Sequence, residues 1–339
     1  MKAFQLQNAF GIENLALVDL PQPEAGPGQA LVRLHAWSLN FRDLLVVRGH
    51  YKPKLTFPFQ MISDGAGEVV AVGPGVTRVK VGDRVAGAFM QSWIEGGPSD
   101  HKSASALGGD IPGLAAEFVV LDAEGLVHLP EGVTFEEGAT LPCAAVTAWN
   151  GLVTQGHLAA GDTVLVQGTG GVSIFALQFA RMIGANVIAT SSSDAKLEKL
   201  KSLGASGLIN YKATPDWGKR ARELTGGRGV DHVVEVGGAG TLAQSLIAVR
   251  PGGRVSMIGV LSGVSEGEAM PIFPILLKAI TVQGIFVGSR EMFESMNRAI
   301  ARNGLQPVID AKVFSFTDFP NALRYMESGA HFGKIVLRA

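Results

Sequence analysis

The chain has 339 residues, enough for two domains with full cores, and its 47% hydrophobic and 17% charged content excludes a disordered chain. A net charge of −1 leaves no electrostatic footprint for nucleic acid and no basic run for a membrane surface. One cysteine, Cys143, excludes both an intrachain disulfide framework and a Cys-rich zinc knuckle.

The amino terminus reads directly as a strand, without a signal-peptide core. Short alternating stretches at residues 1–6, 30–36, 67–73, 81–85 and 116–121 are separated by Gly/Pro turns and predict a compact β-barrel-like domain. The polar, glycine-rich stretch 87–113 is a long excursion and predicts a lobe or lid over a cleft. From Leu129 the character changes: Thr134 can N-cap a helix with Glu136 and Glu137 in its first turn, and residues 143–152 continue as helix.

Val164-Leu165-Val166 then reads as a buried strand, followed by Gly168-Thr169-Gly170-Gly171-Val172-Ser173, a helix over 174–183 and a strand over 186–190. This strand, glycine turn, helix and strand make the first unit of a dinucleotide-binding fold. Gly168 permits the tight turn, and Gly170 lets a pyrophosphate approach the backbone. Gly171 and Val172 continue the turn, and the helix that follows begins with free N–H groups and a positive dipole end pointing at that phosphate. Ser173 stands where the fingerprint has a third glycine, a mild departure at a packing position.

The alternation persists to about six strands, ending with residues 281–287. The most apolar stretch, 271–288, is broken by Pro274, Lys278 and Gln283, so no membrane span is expected and the cytoplasm is the expected location. The tail, with strands at 312–315 and 334–337 around a helix at 318–328, returns to the style of the head. The expected class is α/β: a doubly wound parallel (Rossmann) sheet over 126–305, inserted into a β-rich domain of residues 1–125 completed by 306–339.

The end of the second strand decides the cofactor. Here it reads Ser191-Ser192-Ser193, with no carboxylate to repel a 2′-phosphate, and Lys196 lies one turn on. These residues favour NADP, as NADPH, over NAD. The same serines can also serve as a helix N-cap, and the two roles are compatible because a capped helix start is where a phosphate would sit.

Several segments together resemble the medium-chain dehydrogenase/reductase superfamily. They are Gly65-Ala66-Gly67-Glu68-Val69, Val81-Gly82-Asp83-Arg84-Val85, Leu141-Pro142-Cys143-Ala144-Ala145-Val146-Thr147-Ala148-Trp149, the glycine turn, and Gly333-Lys334-Ile335-Val336-Leu337. The resemblance runs end to end and implies a GroES-like catalytic domain from both chain ends, an inserted nucleotide domain and a cleft between them. Zinc-dependent members hold their metal with Cys, His and Cys; the matching positions here are Asn40, Ser63 and Cys143, so no zinc is expected. The four-cysteine structural lobe is absent too, and His35, His50, His101 and His128 are scattered without ligand spacing.

What remains is similar to the zinc-free quinone oxidoreductase branch, which carries Asn at the first zinc position and Tyr eleven residues on, here Asn40 and Tyr51. By the same resemblance Lys196 and Tyr211 surround the 2′-phosphate, and Thr147 and Val172 lie beside the nicotinamide. Val236, Gly259, Phe286 and Val287 are expected at cofactor-contacting strand ends, and Cys143 reads as a remnant rather than a nucleophile. The expected reaction is hydride transfer from NADPH to a quinone or an α,β-unsaturated carbonyl, with Asn40 and Tyr51 steadying the oxygen that gains charge. A zinc-free alcohol or aldehyde oxidoreductase and a non-catalytic NADPH-binding protein stay open. The resemblance also implies a homodimer paired through residues 281–287. Substrate choice is assigned to the loops 87–113 and 261–273.

Overall fold

The computed structural model describes residues 1–262 and 271–339. The chain divides into two compact units, Met1–Val146 with Gly288–Ala339, and Thr147–Val287.

The first unit opens with β1 (Lys2–Leu6), β2 (Leu15–Asp19) and β3 (Gln29–Ser38). A seven-residue helix, α1 (Phe41–Val47), follows directly. Next come β4 (Phe59–Gln60), β5 (Asp64–Val72), β6 (Arg84–Gly87), the single-turn α2 (Asp100–Ser103), β7 (Phe118–Asp122) and β8 (Leu126–His128). The ten-residue β3 is the spine, pairing antiparallel with both β5 and β7. Its alternate residues Val32 and Leu34, with Trp37, join Leu6, Leu44, Leu114 and Phe319 in one core. The helix α3 (Phe135–Ala139) starts at Thr134, whose side chain accepts the Glu137 N–H while Glu137 reaches back to the Thr134 N–H, a capping box. It packs on β3 and β5, which keeps it with this unit.

The helical run continues through α4 (Val146–Trp149) into the second unit. Five strands there follow a strict alternation with helices: β9 (Thr163–Gln167), α5 (Gly171–Ile183), β10 (Asn186–Ser191), α6 (Asp194–Ser202), β11 (Gly207–Asn210), α7 (Trp217–Leu224), β12 (Val230–Glu235), α8 (Ala239–Ala248) and β13 (Val249–Met257). After α9 (Ile272–Leu277), the sixth strand, β14 (Thr281–Gly284), completes the sheet. All its pairings are parallel, in the order β11-β10-β9-β12-β13-β14. That is the 3-2-1-4-5-6 order of a doubly wound dinucleotide-binding sheet. Strands buried on both faces read as continuous apolar runs, and Leu165, Ile188, Val233 and Val255 form the core of this unit.

The chain returns to the first unit through α10 (Arg290–Asn303), β15 (Phe314–Ser315), α11 (Phe319–Glu327) and β16 (Val336–Arg338). β16 pairs antiparallel with β3, so the carboxyl terminus completes the first sheet.

Three local expectations change. Residues 81–83 form a turn, with the Asp83 N–H on the Lys80 carbonyl and Val81 59% exposed, so the strand begins at Arg84. The helix expected over 143–152 contains two wider π turns, Leu141–Ala145 and Asn150–Thr154. The first includes Pro142, which has no N–H to give an α-helical ladder. The last strand stops at Gly284 instead of 287: Asn150 Nδ2 holds the Val287 carbonyl at 2.7 Å, and Val287 takes φ 51°. Positive φ in a β-branched residue is incompatible with a strand. The stretch 87–113 is a packed lobe, with Phe89, Met90, Trp93 and Leu107 buried. Of the loop 261–273, residues 263–270 lie outside the described residues.

Candidate functional site

In the second unit the sheet order reverses between β9 and β12, and ligands of doubly wound sheets bind beyond the carboxyl ends of the strands at such a point. Gly168 leaves β9 with φ 71° and donates its N–H to the Thr190 carbonyl at 2.8 Å. Gly170 is the N-cap of α5 with no side-chain cap among the described residues, and Gly171 and Val172 form the first turn, where helix N–H groups have no intrahelical partner. Among the described residues, a Cβ built on Gly170 would meet no heavy atom within 4 Å. Ser173 instead donates to the Gln167 carbonyl at 2.6 Å and is buried, which explains why a small hydroxyl replaces glycine there.

Across the switch point Val236 follows β12. Gly259 lies against it, and a Cβ on Gly259 would come 2.3 Å from the Val236 carbonyl. Thr147 is buried in α4, and Val287 is tied to the same helical run through Asn150. Phe286 is 42% exposed just after β14.

The residues expected around a 2′-phosphate lie at the ends of β10 and β11. Ser191 is buried and its Oγ accepts the Ser193 N–H at 3.2 Å. Ser193 caps α6 by accepting the Lys196 N–H, and the Tyr211 N–H reaches the Ser191 carbonyl at 3.1 Å. Ser192 sits between them. The five residues expected around a 2′-phosphate therefore share one place. Asp194 opens α6 beside them, and its carboxylate was not weighed in the cofactor reading. Asn210 Nδ2 holds its Oδ1 at 2.7 Å, drawing that carboxylate toward β11.

A second missed residue is Glu235, fully buried at the end of β12. Its Oε1 accepts from the Gly237 N–H at 2.8 Å, the Gly238 N–H at 3.0 Å and Thr241 Oγ1 at 2.5 Å. Its Oε2 accepts from Gln167 Nε2 at 2.8 Å and from Ser245 Oγ. Gln167 Oε1 in turn accepts the Val236 and Gly237 N–H groups at 3.3 Å. One carboxylate thus staples the ends of β9 and β12 and fixes the backbone at the switch point. The sequence held no clear signal for it, because Asp231 and His232 share the strand and Glu235 does not stand out among them.

In the first unit Asn40 is the N-cap residue of α1, and Asp43 reaches back to accept its N–H at 2.8 Å. The Asn40 side chain faces another partner: Lys334 Nζ lies 2.5 Å from Asn40 Oδ1 and 2.6 Å from the Leu39 carbonyl. Asn40 Nδ2 points to Ser63 Oγ at 3.4 Å, and Ser63 Oγ donates to Asp64 Oδ1 at 2.7 Å. Asp64 Oδ2 accepts the Cys143 N–H at 3.2 Å and lies 3.8 Å from Lys334 Nζ. Asn40, Ser63, Asp64 and Lys334 are all buried. Burial pushes the Asp43 carboxyl up to about 6, against the pull of Arg42 and the Asn40 N–H.

Tyr51 follows α1, with its N–H on the Leu45 carbonyl. Burial raises its hydroxyl, and the Arg42 guanidinium, 5.5 Å from the ring centroid, opposes that. Arg42 also covers the Phe89 ring at 4.3 Å. α1 therefore carries both expected residues, Asn40 at its start and Tyr51 beyond its end.

The matched residues cover both units. Residues 26–131 match the family model "Alcohol dehydrogenase GroES-like domain" and residues 171–302 match "Zinc-binding dehydrogenase". A zinc-type alcohol dehydrogenase-like protein of Schizosaccharomyces pombe is 47% identical over 94% of this chain and 93% of its own. The chain belongs to the medium-chain dehydrogenase/reductase superfamily. It is an oxidoreductase fold of that superfamily throughout its length: a solved putative alcohol dehydrogenase from Sinorhizobium meliloti superposes with a TM-score of 0.92 at 45% identity, over 100% of this chain and 99% of that one. A crotonyl-CoA reductase of Streptomyces avermitilis is 30% identical over 95% of this chain and 81% of its own. Two further superfamily structures cover the whole chain. Mycobacterial Rv1454c, solved with NADPH, gives a TM-score of 0.83 at 28% identity over 100% of both chains, and a Pseudomonas syringae quinone oxidoreductase gives 0.84 at 30% over 100% and 99%.

The zinc of the superfamily does not fit the residues present at its three ligand positions. Asn40 offers an amide whose oxygen already holds an ammonium, and Ser63 offers a hydroxyl committed to Asp64. Cys143 is the one metal-binding side chain left at the three positions; it is partly accessible, and burial, reinforced by the Asp64 charge, pushes its thiol up to about 12. Among the described residues, no group of three His, Cys, Asp or Glu is arranged to hold a metal.

Proposed function

We propose that the protein is an NADPH-dependent, zinc-independent reductase of quinones or α,β-unsaturated carbonyls. The observation that carries this reading is the network at the zinc positions: it presents an amide N–H, from Asn40, where zinc-dependent relatives present a Lewis acid. An unactivated alcohol needs such an acid to give up hydride easily. A conjugated acceptor takes hydride at carbon and spreads the charge to oxygen, so positioning and a few donors suffice. The crotonyl-CoA reductase and quinone oxidoreductase likenesses support this substrate class, and the NADPH complex of Rv1454c supports the cofactor.

NADPH, when bound, supplies the hydride. Gly168, Gly170 and the first turn of α5 receive its pyrophosphate, and Ser191, Ser192, Ser193, Lys196 and Tyr211 receive its 2′-phosphate. Thr147, Val172, Val236, Gly259, Phe286 and Val287 flank the nicotinamide. Asn40 Nδ2 and the Tyr51 hydroxyl donate to the substrate oxygen as it becomes an enolate or hydroquinone oxygen. The closing proton comes from water or Tyr51.

A second reading, an alcohol dehydrogenase, is favoured by the names of the Schizosaccharomyces and Sinorhizobium proteins. Assays of enone, quinone and alcohol turnover, each with NADPH/NADP or NADH/NAD and with or without added zinc, separate the two. Tight NADPH binding without turnover of any acceptor would favour a non-catalytic role.

We also infer a homodimer paired along β14, acting in the cytoplasm. β14 is the outer strand of its sheet, and an unpaired strand edge invites another strand. Just before it, α9 leaves Ile272, Phe273, Leu276 and Leu277 69–70% exposed. Leu276→Glu should yield monomers by light scattering; an unchanged mass would place the interface elsewhere. No described helix is long and apolar enough to cross a membrane.

A further inference from the structure

We propose that Lys334 is the positioning residue of Asn40: it sets which end of the amide faces the substrate and strengthens that end as a donor. This rests on the reductase reading above. Lysine can only donate, so the atom of Asn40 facing Nζ at 2.5 Å must be the carbonyl oxygen, and Nδ2 must face the other way. A second donation, to the Leu39 carbonyl at 2.6 Å, anchors the ammonium to the residue before Asn40, so the Asn40 backbone and side chain are gripped together. Lys334 is 3% exposed and Asp64 fully buried, and the two lie 3.8 Å apart.

The four side chains form a closed circuit. Lys334 donates to Asn40 Oδ1, Asn40 Nδ2 points to Ser63 Oγ at 3.4 Å, Ser63 Oγ donates to Asp64, and Asp64 returns to Lys334. The contact from Nδ2 to Ser63 is the longest of the three hydrogen bonds in the circuit, beyond the usual 2.7–3.2 Å. An amide nitrogen has two hydrogens, so this group keeps donor capacity that the protein does not use well. An ammonium on the amide oxygen draws electron density through the conjugated amide, and linked hydrogen bonds polarise one another. The consequence is a fixed and more acidic N–H at the place where the substrate oxygen gains charge, with no cost of turning the amide during the reaction.

The test compares wild type, Lys334→Met, Asn40→Ala and the double variant in steady-state reduction of 2-cyclohexenone by NADPH. Lys334→Met should lower kcat 10- to 100-fold with NADPH affinity unchanged, and should lower it less than threefold further in the Asn40→Ala background. Equal, multiplying losses in the two backgrounds, or an unchanged kcat, would overturn the proposal. Removing Lys334 alone leaves Asp64 buried without its cation, so Lys334→Met/Asp64→Asn serves as the electrically balanced variant if folding suffers. A second readout does not depend on turnover. In protein labelled with 15N-asparagine, with Asn40→Ala for assignment, the Asn40 amide pair should move in the Lys334 variants while the other pairs stay. If wild type reduces no acceptor, the reductase reading fails and this spectrum still decides the positioning role; an unmoved Asn40 pair rejects it.

Discussion

Gly170→Ala should separate binding from stability. The residue has φ −76° and ψ 172°, ordinary extended backbone that alanine adopts freely. No heavy atom of the described residues lies within 4 Å of the added methyl, so none of them resists it. Stability should therefore hold or rise by about 0.4–1 kcal/mol, through the smaller entropy of the unfolded chain. The same methyl projects into the space in front of α5. A pyrophosphate packed against that backbone would lose its contact with the helix N-terminus, and losing one or two charge-assisted bonds of about 1.5–3 kcal/mol each weakens binding by at least tenfold. Thermal unfolding without cofactor and NADPH fluorescence titration give the two numbers. Gly168→Ala is the internal contrast: its surroundings among the described residues are equally open, but φ 71° costs alanine about 1–2 kcal/mol, so stability should fall there. An unchanged NADPH affinity in Gly170→Ala would refute the placement of the phosphates.

Glu235→Gln should lower stability by about 3–5 kcal/mol, because the new amide NH2 must face donors that a carboxylate satisfied; a urea midpoint within error of wild type would reject this. Asp43→Asn tests the buried carboxyl of α1. A folded-state value near 6 against an ordinary 3.8 means that the folded chain binds the extra proton. Stability from this group is thus present below pH 4 and lost as pH rises through 6, by about 3 kcal/mol at most. The variant should therefore gain on wild type between pH 4.5 and 7, and a difference independent of pH would contradict the burial argument. Lys196→Ala should raise the KM for NADPH about 5- to 30-fold and leave that for NADH alone, the size of one charge–phosphate contact; equal effects on both cofactors would show that Lys196 does not read the 2′-phosphate.

Where chemistry repeats along the chain, the fold was legible. The period of strand and helix from Val164 onward anticipated six strands, and the return of β-style segments after residue 312 anticipated that the tail completes the first sheet. Ser191, Ser192, Ser193, Lys196 and Tyr211 could be grouped from the sequence because they follow two successive strands, whose ends adjoin in the fold. Lys334 and Glu235 were not, since nothing in a sequence marks a charge as buried: Lys334 meets Asn40 only because β16 pairs with β3, nearly 300 residues apart. Helices α1 and α10 escaped notice for a related reason. α1 is short and hidden inside a motif read for its chemistry, and α10 alternates charged and apolar residues at a spacing overshadowed by the flanking strands. The early end of β14 needed Asn150, distant in sequence, to hold Val287.

The most direct measurement is product analysis after mixing metal-free wild-type protein, NADPH and 2-cyclohexenone. Cyclohexanone, formed with stoichiometric loss of NADPH and unaffected by added zinc, is the predicted result. Absence of the saturated ketone, together with zinc-stimulated oxidation of an alcohol by NAD, would contradict it and restore the metal-dependent chemistry of the superfamily.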